Sequence, residues 1–201
     1  MSDASRTTLW PWLERRYRLS QAQMRPLGRD NGPLLADPSP IVVGDVIDET
    51  LAIASAAGIE PAVLLPANDI YYGYDGTVQA AAERVQEDAE LVQRFVDATI
   101  EGWYRYLYDD NTQVDALIER ANPEMTKERL AHALTVIRRY GLVDSSHALS
   151  MGIGAMDGGN WVNFWKAVLA RSACPDSGQL YTLRFVNQSH GLALKEALAG
   201  G

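Results

Sequence analysis

The clearest pattern of hydrophobic and polar positions lies between Asp88 and Asp110. Apolar residues recur there at spacings of three and four, which predicts an amphipathic helix of about six turns. Acidic residues crowd its start, where they favour the positive end of the helix dipole. The apolar stripe comprises Leu91, Val92, Phe95, Val96, Ile100, Trp103, Tyr104 and Leu107. We expect a partner surface to cover this stripe.

Other segments of the chain carry weaker patterns. Helical spacing covers residues 47–57, 79–86, 114–120, 127–140 and 161–170, and a shorter helix follows the start of the chain. The Asn122-Pro123 pair predicts a helix end, and Thr126 is a candidate N-cap for the next helix. Short apolar or β-branched runs predict strands at 41–46 and 62–65, and either a terminal strand or an apolar docking segment at 181–186. We expect the Ala/Gly tail that follows to fray.

Composition narrows the functional classes. The 201 residues are 47% hydrophobic and 22% charged, with a net charge of -8. That balance argues against nucleic-acid or anionic-membrane partners, which select basic surfaces. No apolar run approaches the length of a membrane-spanning helix, and a single cysteine excludes an intrachain disulfide. As written, without a signal peptide after Met1, the sequence predicts a cytoplasmic chain.

Candidate ligand contacts fall in three places along the chain. Hydroxyls near the first helix, at Ser5 and Thr7, could either cap it or cradle an anion or polar ligand. Glu49, near a predicted strand-to-helix junction, could accept from a ligand amino group or simply be solvated. The segment 68–77 interleaves tyrosines with glycines, which is typical both of pocket linings and of surface loops.

Catalytic and metal-binding motifs are not recognisable. The histidines His132, His147 and His190 lack the spacing of a metal site, and Cys174 has no base partner nearby in sequence. The glycines of 152–159 do not follow the G-x-G-x-x-G or P-loop patterns. The sequence therefore predicts no enzyme, no metal and no cofactor.

Several strings, in order along almost the whole chain, together resemble one family. They are ASRTTLWPWL from Ala4, RPLG with LLADP from Arg25, GDVIDE from Gly44, AELVQRFVDATIEGW from Ala89, NPEMT from Asn122, GIGAMD from Gly152 and YTLRFVN from Tyr181. They resemble solute-binding proteins of ABC importers that take thiamine-precursor pyrimidines, nitrate, taurine and alkanesulfonates. ASRTT and YTLRFVN point to the thiamine-pyrimidine branch.

The resemblance implies an α/β periplasmic-binding-protein fold whose two lobes close on a small solute. Residues 1–77 would form the second lobe, with return strands near 70–77, and residues 78–201 a mainly helical part returning to the first lobe. It also implies a periplasmic location, a permease partner, and a missing signal and first lobe. The uncovered helix stripe would then favour self-association.

The resemblance also assigns ligand contacts residue by residue. Ser5, Arg6 and Thr7 would bind the solute at a helix start, and Glu49 would pair with a pyrimidine amino group. Tyr72 and Tyr74 would stack on the ligand near the hinge. Two alternatives to an importer's binding protein remain: a truncated chain that binds nothing, and a relative of a fungal enzyme that makes the thiamine pyrimidine.

Overall fold

The computed structural model describes residues 3–25, 39, 41–69, 71, 73–74, 76–168 and 180–200. Its α-helices in this part are α1 (Asp3–Tyr17), α2 (Asp48–Ala57), α3 (Ala82–Glu87), α4 (Ala89–Tyr108), α5 (Thr112–Ala121), α6 (Lys127–Tyr140), α7 (Ala148–Met151), α8 (Gly158–Val168) and α9 (Leu192–Ala199). Two 3-10 turns are η1 (Gln21–Gln23) and η2 (Pro66–Asp69). The described residues contain no strand, so the predicted α/β periplasmic-binding class was wrong.

The predicted strands fail for one physical reason. A β-branched or apolar run becomes a strand only where a neighbouring strand receives its backbone hydrogen bonds and covers one face. Residues 41–45 and 61–65 are irregular, and Ile41 and Leu64 are 82% and 78% exposed rather than buried. Residues 181–183 are irregular, and 184–186 form a turn. Of the return strands expected at 70–77, residues 70, 72 and 75 lie outside the described residues, and the others form no strand.

The predicted helices are present in the described residues, most closely where caps define the ends, although 169–170 of the predicted 161–170 helix lie outside those residues and the first helix is longer than predicted. α6 begins after Thr126, whose hydroxyl accepts from the Arg129 N–H, as predicted. It ends at Tyr140, directly before Gly141, whose φ of +58° is the left-handed conformation typical of the residue after a helix. α5 ends at Ala121, directly before the Asn122-Pro123 pair.

The chain divides into two compact units: unit 1 comprises 1–73 and 159–175, and unit 2 comprises 74–158 and 176–201. Unit 1 has an aromatic core in which Tyr71 lies between Trp12 of α1 and Phe164 of α8. Ring centroids are 5.1 Å apart for Trp12 and Tyr71, and 5.5 Å apart for Tyr71 and Phe164. Burial raises the pKa of the Tyr71 phenol, against the opposing effect of a hydrogen bond with Thr8.

Unit 2 is built around α4. The Asp88 carboxylate caps its first turn by accepting from the Leu91 N–H. The buried residues of α4 are Val96, Ile100, Tyr104 and Leu107. The buried stripe is therefore narrower than the predicted one, since Leu91 and Phe95 are 42% and 59% exposed.

Tyr104 fixes the turns that pack on α4. Its side chain is fully buried, and its hydroxyl accepts a 3.0 Å hydrogen bond from the Ile153 N–H. The Tyr104 ring also lies against Gly191, where an added Cβ would come within 2.5 Å of the ring. Only glycine fits at that point, and Gly191 opens α9, which packs along α4.

An ion pair holds α9 at its second turn. The Lys195 ammonium lies 2.7 Å from Oδ2 of Asp144, and the Tyr108 hydroxyl donates to the same oxygen at 2.6 Å. The hydrogen bond to Asp144 raises the pKa of Lys195. The pKa of Tyr108 is also raised, mainly by desolvation and to a smaller extent by the hydrogen bond to Asp144. The expectation that the C-terminal segment frays was wrong, because α9 is anchored in this way.

A glycine pair tests the packing on Tyr104. Gly191→Ala should lower the free energy of unfolding by about 1–3 kcal/mol more than Gly154→Ala, because it drives a methyl group into a buried ring. The two glycines have similar φ values, +79° and +82°, and an added Cβ at Gly154 would meet only Ile100 at ordinary contact distance. Urea denaturation of both variants measures the difference, and equal losses would contradict the packing.

The Asp144 ion pair predicts an alkaline loss of stability. Lys195 and Tyr108 both have folded-state pKa values raised above ordinary values of about 10.4 and 10. Their stabilisation is therefore complete below about pH 10 and is lost as pH rises through the folded values. Urea denaturation at about pH 8 and about pH 11 should show a smaller alkaline decline in Lys195→Gln than in the parent chain. Equal declines would mean that the pair is not formed in solution.

Candidate functional site

The strongest candidate site is an open pocket of about 380 Å³ within unit 1, here called the α1 pocket. Two of the residues predicted to bind ligand, Arg6 and Thr7, line it. The remaining lining residues are Trp10, Gln21 and Met24. The size falls within the roughly 300–1,000 Å³ of sites that take small molecules.

Helical spacing places the first half of the lining. Trp10 follows Thr7 by three positions and Arg6 by four, so the three side chains lie on one face of α1. Arg6 and Thr7 belong to the first two turns, where the helix dipole is positive. This end of α1 favours a ligand that carries negative charge or hydrogen-bond acceptors.

The turn after α1 brings the remaining lining residues, Gln21 and Met24, to the pocket. Arg18 has a φ of +55°, a left-handed conformation that ends the helix directly after Tyr17. The chain then forms η1, in which the Ser20 N–H donates to the Gln23 side chain at 2.8 Å and the Met24 N–H donates to Gln21 O at 3.2 Å. These bonds fix the turn that presents Gln21 and Met24 to the pocket.

The lining offers mainly hydrogen-bond donors. Trp10 is 6% exposed, and its indole N–H is buried without a hydrogen-bond partner among the described residues. Because that N–H is closed off from solvent, a ligand in the open pocket meets the polar groups of the other lining residues instead. Arg6 adds a guanidinium, Thr7 a hydroxyl and Gln21 an amide.

The other predicted ligand residues lie elsewhere. Ser5 is half-buried on α1 but is not part of the pocket lining. Glu49 lies in the first turn of α2 against Gly44, and its buried Oε2 finds no partner within the described ranges. Tyr74 belongs to unit 2, where its hydroxyl accepts from the Asp157 N–H at 2.6 Å. Tyr72 lies outside the described residues.

Sequence reasoning missed three lining residues. Trp10 could have been found, because it follows Arg6 by one helical turn and carries a polar N–H. Gln21 and Met24 gave no signal, since their place in the lining depends on the left-handed turn at Arg18.

Two searches bear on metals and membranes. In the described ranges, no group of three or more His, Cys, Asp or Glu side chains is placed to hold a metal ion. Across the same residues, no helix combines the length and the apolar character needed to span a membrane.

The chain matches no protein-family model, and comparisons with curated proteins and with solved structures give no match. Its membership of the solute-binding group therefore stays a prediction from the sequence strings.

Proposed function

We propose that this chain is the solute-binding component of an ABC importer, or a truncated form of one, and that it holds a small solute in the α1 pocket. The observation that carries the proposal is that Arg6 and Thr7 line one pocket of unit 1, together with Gln21. The first two were identified from their place in the string ASRTT.

The proposed ligand class follows from the lining. The guanidinium of Arg6 and the amide N–H groups of Gln21 favour a solute with several acceptor atoms, such as the ring nitrogens of a thiamine-precursor pyrimidine or the oxygens of a sulfonate. Among these we favour the pyrimidine, because ASRTT and YTLRFVN resemble that branch. We also propose a permease partner and a periplasmic location, which are supported by the same resemblance of short sequence segments to the solute-binding family.

Ligand-dependent melting tests the proposal. A thiamine-precursor aminopyrimidine at 100 times its Kd should add about 2.7 kcal/mol to the free energy of unfolding. Taurine and nitrate serve as the alternative ligands. No shift with any of the three, at concentrations up to the solubility of each, would reject a solute-binding function and favour the truncated, non-binding alternative.

Two variants locate the site. Arg6→Gln and Gln21→Ala should each weaken binding by about tenfold or more, because the first removes the guanidinium and the second the amide from the lining. Arg16→Gln is the matched control, since it removes an exposed arginine from the same helix outside the pocket. Calorimetric titration measures all three, and equal effects of Arg6→Gln and Arg16→Gln would place the ligand elsewhere.

We further propose that the outer face of α4 mediates self-association. Leu91 and Phe95 lie one turn apart on this face and are both exposed, and an added Cβ at Gly102 would meet open space. Association that covered this face would remove apolar side chains from water, at about 25 cal/mol per Å².

Sedimentation of a surface variant tests the association. Phe95→Ser should shift the chain toward monomer at concentrations where the parent associates, because it removes the largest exposed apolar group of α4. Leu117→Ser on α5 is the control, since Leu117 is 54% exposed and lies on another helix. A purely monomeric parent chain, or equal effects of the two variants, would reject the α4 face.

A further inference from the structure

We propose that Met24 determines which solutes the α1 pocket prefers, by binding an apolar substituent on the ring of an aminopyrimidine. The inference rests on the proposed solute-binding function. It names the part of the ligand that the polar lining residues do not recognise.

The α1 pocket has an apolar part besides its polar groups. Arg6, Thr7 and Gln21 supply the polar groups. The N–H of Trp10 is closed off from solvent, so that only the carbon atoms of its ring can contact a ligand. Met24 adds a thioether side chain. A solute that fills the pocket therefore meets hydrogen-bonding groups and apolar surface together.

The two walls of the pocket, α1 and the turn after it, each carry both kinds of group. On α1, Trp10 lies one helical turn after Arg6. In the other wall, Met24 follows Gln21 by three positions at the end of the 3-10 turn η1, and side chains with that spacing lie one above the other. A ligand whose polar and apolar groups are joined to one small ring therefore suits the lining better than a wholly polar one.

The backbone of Met24 is held in place, whereas its side chain can adapt to a ligand. The Met24 N–H donates to Gln21 O at 3.2 Å, and the Met24 carbonyl accepts from Nη1 of Arg25 at 3.1 Å. The residue is half-buried. An unbranched thioether side chain fills irregular space and makes favourable contacts with aromatic rings. Met24 is thus suited to contact both a heteroaromatic ring and a short alkyl group on that ring.

The same property disfavours the alternative solutes. Nitrate has no apolar group, and taurine has only a short chain between two charged ends. A methyl-substituted aminopyrimidine buries apolar surface against Met24 that neither of them offers.

Calorimetric titration of the whole chain with two related aminopyrimidines tests the proposal. 4-Amino-2-methylpyrimidine should bind the parent chain about fourfold more tightly than 4-aminopyrimidine, because one more methyl group is buried. Met24→Gln and Met24→Ala should both remove this preference, since the first places an amide where the thioether lies and the second shortens the side chain. Met24→Leu should retain the preference, because leucine is also apolar and of similar volume.

A methionine in unit 2 supplies the matched control. Met125 is half-buried, as Met24 is, and lies outside the α1 pocket, so Met125→Gln should keep the preference for the methyl compound. Equal affinities of the parent chain for the two compounds, or a preference that survives Met24→Gln and Met24→Ala, would overturn the assignment to Met24 and leave solute binding intact. Loss of the preference in Met125→Gln as well would also overturn it. Binding of neither compound would overturn it together with the proposed function.

Discussion

The buried phenol of Tyr104 is the interaction on which unit 2 depends. A hydroxyl taken fully out of water is costly unless it is hydrogen-bonded, and this one accepts from the Ile153 backbone. The same ring leaves room only for a glycine at position 191. One side chain of α4 therefore fixes two turns that are distant in sequence, one after α7 and one before α9.

The two turns are also joined to each other. The Asn187 side chain donates to Met156 O at 2.8 Å and accepts from the Met156 N–H at 2.9 Å, as a neighbouring strand would. The Ser189 N–H donates to Met151 O at 3.0 Å. Asn187 and Ser189 adopt left-handed φ values that cost on the order of 1–2 kcal/mol per residue, and these bonds offset that cost. The path of the chain into α9, and with it the approach of Lys195 to Asp144, follows from this arrangement.

Features that depend on interactions between residues close in sequence could be predicted, whereas features that depend on contacts between distant segments could not. α4 and α6 were predictable because periodicity, the Thr126 cap and the position of Gly141 all act within a few residues. The predictions of strands at 41–46 and 181–186 were wrong, because a strand forms only against a neighbouring strand that is often distant in sequence. Arg6 and Thr7 were found through a short string, but the pocket that they line also needs the turn at Arg18, which no local pattern indicated. Asp144 and Lys195 gave no signal, since their pairing depends on Gly191 fitting against Tyr104.

Two buried polar atoms lower the stability of the units that contain them. The Trp10 indole N–H in unit 1 and Asp144 Oδ1 in unit 2 are closed off from solvent and have no hydrogen-bond partner among the described residues. A buried polar group left unsatisfied costs about 1–3 kcal/mol. In unit 2 the other oxygen of Asp144 offsets that cost, because it accepts from Tyr108 and pairs with Lys195. In unit 1 the aromatic packing of Trp12, Tyr71 and Phe164 must do so instead.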